Sequence, residues 1–420
     1  MVTLGNDLLA TGLHQSLNIN AIRADFPMLQ QQIDGKPLVY LDSAATSHKP
    51  RQMMDKLVEC YSTQYGKIRE STTFSQKMTD AYEEVRQKIA SMINAADASE
   101  VVFVKNCTEG INIVANGFER AMLKPGDEIL ITRIEHHANI IPWQLACEKT
   151  GAQLRVAPIN RDGELDLDQF SQLITDRTRI ISLSHSSNVL GTILPVREVV
   201  DLAHARGIPV LVDGAQMAPH DPIDMQALGC DFYTFSAHKM GGPSGVGVLY
   251  GRKEWLEKLP PHHGGSEMVS EVEFDKTTYL EVPFKFEAGT PAFVDVIAFG
   301  TVIDYLQGIG RQAIADYERE LLAYAAERMA ALDRVRTFGN APQKEPVISF
   351  DVEGIEVKVL ETYFNDDLNI EVRAGQLSAQ PLMNFLGVSG LVRASFCFYN
   401  TRDEIDFFVD SLDDYIRKKG

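Results

Sequence analysis

Positive charge is scarce in this chain. Its 420 residues hold 40 Lys and Arg against 58 Asp and Glu, a formal net charge of −18. So acidic a balance argues against nucleic acid or an anionic membrane as the main partner. It leaves room for a local basic pocket that holds phosphate. Cysteine is scarce too. The five thiols (Cys60, Cys107, Cys147, Cys230 and Cys397) are scattered, odd in number and free of any C-x-x-C spacing. That fits reduced thiols rather than a disulfide frame or a zinc site. No apolar run is long enough to span a bilayer. Met1 to Asn18 has neither a basic start nor a sustained apolar core, so it does not read as a secretory signal, and the expected location is cytoplasmic. Repeats, low-complexity tracts and flexible linkers are also missing. What remains is 45% hydrophobic and 23% charged, ordinary for a soluble globular protein and long enough for two domains.

The pattern present is an alternation of strands and helices. A lead-in and a short helix near Ile22–Gln30 precede the strand Leu38–Asp42, which runs into the small residues Ser43-Ala44-Ala45-Thr46-Ser47. Pro50 to Ile93 has helical spacing, with Ala81, Val85 and Ile89 in register. Strands are expected at Val101–Val104, Asp127–Thr132, Arg179–His185 and Ile208–Asp213. Polar residues cluster just after them. Asn106-Cys107-Thr108-Glu109-Gly110 opens a helix, which is either an anion site or an ordinary junction. Glu135-His136-His137-Ala138-Asn139 lacks a third ligand for a metal site. One imidazole stacked on an aromatic ligand, or a solvent-facing pair, are the open readings. Asp213 ends a buried run, so its carboxylate needs a partner: a protonated ring nitrogen or a helix N-terminus. Such an arrangement indicates a mostly parallel sheet with its site along the strands' C-terminal edge.

The central stretch is Phe232 to Gly242. The apolar run Phe232-Tyr233-Thr234-Phe235 ends in Ser236-Ala237-His238-Lys239, followed by Gly241, Gly242, Gly245 and Gly247. It reads as a buried strand that delivers Lys239 to a cleft. Desolvation there lowers the amine's pKa and frees it as a nucleophile toward carbonyls. The best-known use of such an amine is attachment to pyridoxal 5'-phosphate (PLP). The second half opens with a loop or extended arm, Pro260–Lys276. Helices follow over Ala292–Leu332, then a strand at Pro346–Val352 and a closing helix near Glu404–Ile416.

From Asp25 to the C-terminus the chain resembles fold-type I PLP enzymes of the class V aminotransferase group, nearest the cysteine desulfurases and selenocysteine lyases. The motifs that carry the likeness are Tyr40-Leu41-Asp42-Ser43-Ala44-Ala45, Glu135-His136-His137-Ala138-Asn139, Ser186-Ser187-Asn188-Val189-Leu190-Gly191, Asp213-Gly214-Ala215-Gln216, Ser236-Ala237-His238-Lys239, Phe286-Glu287-Ala288-Gly289-Thr290-Pro291 and Arg393-Ala394-Ser395 with Tyr399-Asn400-Thr401. The resemblance implies an α/β PLP-dependent transferase fold: a mostly parallel seven-stranded sheet in a large domain (36–291), a small α+β domain (292–420), and an N-terminal segment (1–35) packed with the small domain.

It also implies roles. Lys239 carries PLP and shuttles the substrate α-proton, Asp213 pairs with the pyridinium nitrogen, and His136 stacks on the ring. Gln216 meets the phenolic oxygen. Cys107 and Asn188 also contact the cofactor, while Thr108, Ser236 and His238 hold its phosphate. Thr290 reaches the phosphate of a second subunit, which implies a homodimer with shared sites. Ala44, Asn188, Arg373 and Arg393 face the substrate, and Arg393 clamps its α-carboxylate. No metal is expected.

One stretch departs from the family. The desulfurase loop reads R-x-G-H-H-C-A-x-P, and its cysteine takes the substrate sulfur as a persulfide. Here it reads Arg373-Ala374-Gly375-Gln376-Leu377-Ser378-Ala379-Gln380-Pro381. Ser378 therefore stands at the nucleophile's position. A serine hydroxyl is hardly ionised near neutral pH and forms no stable persulfide. Ile68 and Thr72 also stand where histidine is expected, and Cys397, expected on a strand after Arg393, reads as a packing residue. The parts retained support β-elimination on a small amino acid such as cysteine, cystine or a cysteine S-conjugate. Alternatives are alanine-forming desulfuration or selenocysteine lysis with another acceptor, a sulfur-acceptor protein being undecided. Decarboxylation, transamination or cyclisation, and a non-catalytic paralogue, complete the readings.

Overall fold

The structure, a computed structural model, describes residues 17–419. Its centre is a seven-stranded sheet in the order Val101–Val104, Gly247–Gly251, Phe232–Ser236, Val210–Asp213, Thr178–Ser184, Glu128–Thr132, Gln153–Ala157. Only Gly247–Gly251 runs against the rest, pairing antiparallel with both neighbours; the other pairings are parallel. Most of these strands are apolar runs buried on both faces, as a sheet covered by helices on both sides requires. Alternate side chains divide between two cores. Val101, Phe103, Leu130, Val210 and Val212 join one; Val102, Val104, Ile129, Ile131 and Leu211 join the other. Each such side chain, fully buried, contributes roughly 1.5–3 kcal/mol of transfer free energy.

Helix Cys107–Ala121 packs on the second face, against Ile141–Thr150. It begins where it does because Asn106 caps it, its side chain accepting from the Glu109 N–H at 2.9 Å. Helices Thr73–Met92 and Phe293–Ile309 pack together on the first face. The residues from Phe293 to Leu306 that face inward thus belong to the core of the large sheet. On that packing we propose that the passage into the small domain comes after Ile309 rather than at the expected 292.

The small domain is a four-stranded antiparallel sheet in the order Val335–Phe338, Val347–Val352, Leu391–Ser395, Arg373–Gly375. Helices Arg311–Ala330 and Arg402–Lys419 pack together beside it over a core that includes Leu321, Phe350, Phe364 and Phe408. Strand Val39–Tyr40 pairs in parallel with Ile370–Glu371, and Val39 and Leu41 enter the small domain's core. The Tyr40-to-Ala45 motif thus starts in one domain and ends at the other's cleft.

Several expectations need correction. Ile22–Gln30 is two elements, an α-helix Ile19–Ala24 and a 3-10 turn Pro27–Gln30. The described part of the N-terminal segment touches both domains: Phe26 packs on Tyr305 as well as Phe398 and Tyr399. Residues 1–16 lie outside the described residues. The arm after Pro260 carries a two-stranded hairpin, Val269–Val272 with Thr277–Tyr279, whose weak alternation gave no strand signal. The strand bearing Arg393 stops at Ser395, so Cys397 lies in the turn beyond it, buried in packing. Among the described residues no single helix is long and apolar enough to cross a membrane.

Candidate active site

The C-terminal edge of the large sheet opens on a cleft of about 530 Å³. Five strand ends deliver to it. Val101–Val104 leads to Cys107 and Thr108, Glu128–Thr132 to His136, and Thr178–Ser184 to Ser186 and Asn188. Val210–Asp213 brings Asp213 and Gln216; Phe232–Ser236 brings Ser236, His238 and Lys239. The small domain supplies the opposite wall with Arg373, Leu377, Ser378 and Arg393, and Ala44 lines the cleft from the strand between the domains. Thus every expected site residue but one comes to a single cleft. Thr290 is exposed and stands outside it.

Lys239 follows the buried strand on a 3-10 turn. Burial lowers its amine's pKa, and Asp213 is the leading charge opposing that shift. Asp213 is held by the Ala215 N–H at 3.0 Å and by the Cys107 thiol, Sγ to Oδ1 3.1 Å. Burial, with Asp213 adding to it, pushes that thiol well above its ordinary pKa, so Cys107 stays protonated and acts as a donor. Burial lowers His136 to about 4. Its ring is neutral near pH 7, with Nδ1 accepting from the Ala138 N–H at 3.0 Å.

The turn that carries His136 rests on polar groups below it. Glu135 is buried and accepts from Thr132 and from Ser184 Oγ at 2.6 Å and Asn139 Nδ2 at 2.8 Å. Burial nevertheless pushes its carboxyl up to about 7. The carbonyl of His238, beside Lys239, accepts from Lys49 Nζ at 2.8 Å, Thr46 Oγ1 at 3.1 Å and Ser47 Oγ at 3.2 Å. The small residues after Asp42 thereby clamp the turn that carries the amine.

On the small-domain wall, Arg393 is buried, and burial lowers its pKa while Asp42 opposes the shift. Its Nη2 donates to Asp42 Oδ1 at 2.8 Å and its Nη1 to the Asn188 carbonyl at 3.0 Å. Arg373 Nε donates to the other Asp42 oxygen at 2.9 Å. Asp42 thus fixes both arginines, a role the sequence reading did not assign. Other polar groups are already engaged inside the chain. Gln216 Nε2 donates to the Ala44 carbonyl at 2.9 Å, and Asn188 Nδ2 to the Leu377 carbonyl at 2.7 Å.

Two polar atoms here are buried without a partner: Ser186 Oγ and Arg393 Nε. Both residues line the cleft. Buried polar groups are almost always hydrogen-bonded, so these two await a polar ligand. Beside them stand a desolvated amine, an acid, a neutral imidazole and the N-terminus of a 15-residue helix, which favours an anion. This donor set fits PLP.

Glu287 also escaped the sequence reading. It lies within the Phe286-to-Pro291 motif but points away from the cleft into a buried network with Arg86, Arg69 and Tyr82. An acid inside an apolar motif was the one available signal.

Comparison with known proteins gives the same picture. The chain is 44% identical over 399 residues to a cysteine desulfurase of Serratia proteamaculans, covering 94% of this chain and 98% of that one. It is 43% identical over 407 residues to a cysteine desulfurase of Synechococcus elongatus, covering 96% of this chain but 65% of that longer protein. The crystal structure of an Escherichia coli cysteine desulfurase superposes with a TM-score of 0.88 at 39% identity, covering 95% of this chain and 98% of that one. The family profile described as "Aminotransferase class-V" matches residues 39–408. With that match running through both domains and every strand end that lines the cleft, the chain belongs to the class-V aminotransferase family.

Proposed function

We propose that this chain is a PLP-dependent, cysteine-desulfurase-like enzyme that cleaves the carbon–sulfur bond of cysteine, or of a related small β-substituted amino acid, by β-elimination. No protein-bound persulfide forms. The observation that carries this reading is Ser378 on the cleft wall opposite Lys239. Cys107 is the one cysteine lining that cleft, and its thiol is protonated and committed to Asp213. Cys397 is buried, its pKa raised by burial, and outside the cleft. No thiolate is therefore poised to take sulfur.

Bound PLP supplies an electron sink for the density released at the substrate α-carbon. Lys239 would hold the cofactor and move the substrate α-proton; its lowered pKa favours the free amine that both tasks need. Asp213 would pair with the cofactor's ring nitrogen, with the Cys107 S–H sharing its charge. The neutral His136 would stack on the cofactor's ring, and Gln216 and Asn188 would complete its contacts. Thr108, Ser236 and His238 would hold its phosphate. Arg393 offers the substrate carboxylate its unpartnered Nε, and Ala44, Asn188 and Arg373 close that side. In balance, cysteine and water give pyruvate, ammonia and sulfide.

A second reading gives alanine, with sulfur passed to an external thiol acceptor. The cysteine desulfurases at 43–44% identity support it. Thr290, exposed and outside its own chain's cleft, supports a homodimer in which it meets the partner's phosphate. The exposed Val272 and Phe274 of the hairpin arm support an interface there. We place the protein in the cytoplasm.

The test is product analysis. PLP-loaded enzyme should make pyruvate in equal amount with the sulfur leaving group, which is sulfide from cysteine, cysteine persulfide from cystine and the free thiol from a cysteine S-conjugate, and Lys239→Ala should make none. Alanine with a transferable persulfide would overturn elimination in favour of the second reading.

A further inference from the structure

Leu377 and Ser378 both hold positive φ, 51° and 54°, a left-handed conformation that residues with a Cβ rarely adopt in succession. Such strain persists only where the surroundings over-determine it, and here they do. Asn188 Nδ2 donates to the Leu377 carbonyl at 2.7 Å. The His137 backbone N–H donates to the Ser378 carbonyl at 2.8 Å. The Gln380 N–H donates to His137 Nε2 at 3.1 Å. Leu377 and Ala379 turn inward and are buried. Ser378 is left exposed on the cleft wall.

His137 is thus joined to the loop twice, once through its backbone and once through its ring. It also sits next to His136 on the turn that Glu135 anchors. We propose that His137 is a positioning residue: its imidazole accepts from Gln380 and so fixes the Leu377–Ser378 turn over the cleft. Through it, the placement of Ser378 is tied to the placement of the ring-facing His136. The adjacent histidines then have separate tasks, one toward the cofactor and one toward the small-domain loop.

The test compares His137→Ala with His137→Gln in PLP-loaded enzyme. Glutamine keeps an acceptor; alanine does not. Hydrogen exchange of the peptide that contains Gln380 should rise about tenfold in His137→Ala, the loss expected from one net hydrogen bond. It should return toward the parent rate in His137→Gln. The kinetic arm rests on the proposed activity: KM should rise by a similar factor in His137→Ala with kcat and the bound cofactor's absorbance little changed. Unchanged exchange in His137→Ala, or equal acceleration in both variants, would overturn the proposal. Exchange is read without turnover, so it still decides the matter if the elimination reading itself fails.

Discussion

Replacing Glu287 by glutamine tests the buried network behind the site. The Glu287 side chain is 2% exposed and that of Arg86 3%. Arg86 Nη1 donates to Oε1 at 2.7 Å and Nη2 to Oε2 at 3.1 Å; Arg69 Nη2 and Tyr82 Oη also donate to Oε2, at 3.1 and 3.2 Å. The Phe103 N–H donates to Oε1 at 3.0 Å. Every contact the carboxylate accepts comes from a donor. Glutamine keeps the shape, but its amide nitrogen would face donors, and Arg86 would lose its buried counter-ion, keeping only the half-buried Glu83 at 2.7 Å. Breaking a buried pair from one side costs about 3–5 kcal/mol. Because glutamine retains one acceptor oxygen, the expected loss is about 3 kcal/mol, at the low end of that range. That is a large part of the roughly 5–15 kcal/mol by which native proteins are stable. The assay is urea unfolding at saturating PLP, followed by circular dichroism, with midpoints compared at equal slope.

The pH dependence supplies a second check. Burial raises the Glu287 pKa, but Arg86 and the hydrogen bonds outweigh it and hold the group below the ordinary carboxylate range. A lowered folded pKa stabilises the fold above the unfolded value, near 4.3, and that stability is lost as pH falls through the folded value. The gap between parent and Glu287→Gln should therefore be full at pH 7 and close in acid. A loss under about 1 kcal/mol, the typical effect of any single substitution, would refute the reasoning. So would a gap that widens as pH falls.

Two further outcomes follow from the cleft. Arg393→Lys replaces a planar fork by a point charge and forfeits either the Asp42 or the Asn188 contact. At roughly 1.5–3 kcal/mol for a hydrogen bond to a charged group, kcat/KM should fall by about 10- to 150-fold, with the bound cofactor's absorbance unchanged. Ser378→Cys restores a thiol that ionises to a few per cent near pH 7. Product should shift from pyruvate toward alanine, with persulfide detectable on the new residue, and an unmoved product ratio would remove Ser378 from the account.

Much of the large domain was legible because its sheet is parallel and buried. Ile208–Val212 is apolar throughout and Phe232–Phe235 nearly so, Thr234 being its polar exception, and each is followed by a polar residue that lines the cleft. The reversed strand Gly247–Gly251 was not legible, since glycines flank it and its pairing is set by distant neighbours. Strand Gln153–Ala157, partly exposed at the sheet's edge, carries the polar Gln153 and Arg155 and gave no signal. The boundary near 292 is hard to read for a related reason: the Phe293–Ile309 helix is apolar on almost every side, so its sequence does not say which core it joins. Among site residues, those at strand ends were legible from position. Asp42, His137 and Glu287 were not, because their importance lies in partners hundreds of residues away or in a loop's backbone conformation.

Lys239, Asp213, His136 and the helix that begins at Cys107 all hang from one sheet edge, whereas Arg373, Arg393 and Ser378 belong to the small domain. The distances within the first group are as stiff as the sheet itself. Those between the groups depend on how one body seats against the other. A rigid tilt of a few degrees would thus re-aim Arg373 and Arg393 while leaving Lys239 and Asp213 in place, and would reach His136 only through the contacts of His137 to the loop. On the roles proposed for the two arginines, substitutions beneath the small sheet, far from any reacting atom, are then a means of changing which amino acid is taken up without redesigning how it is broken.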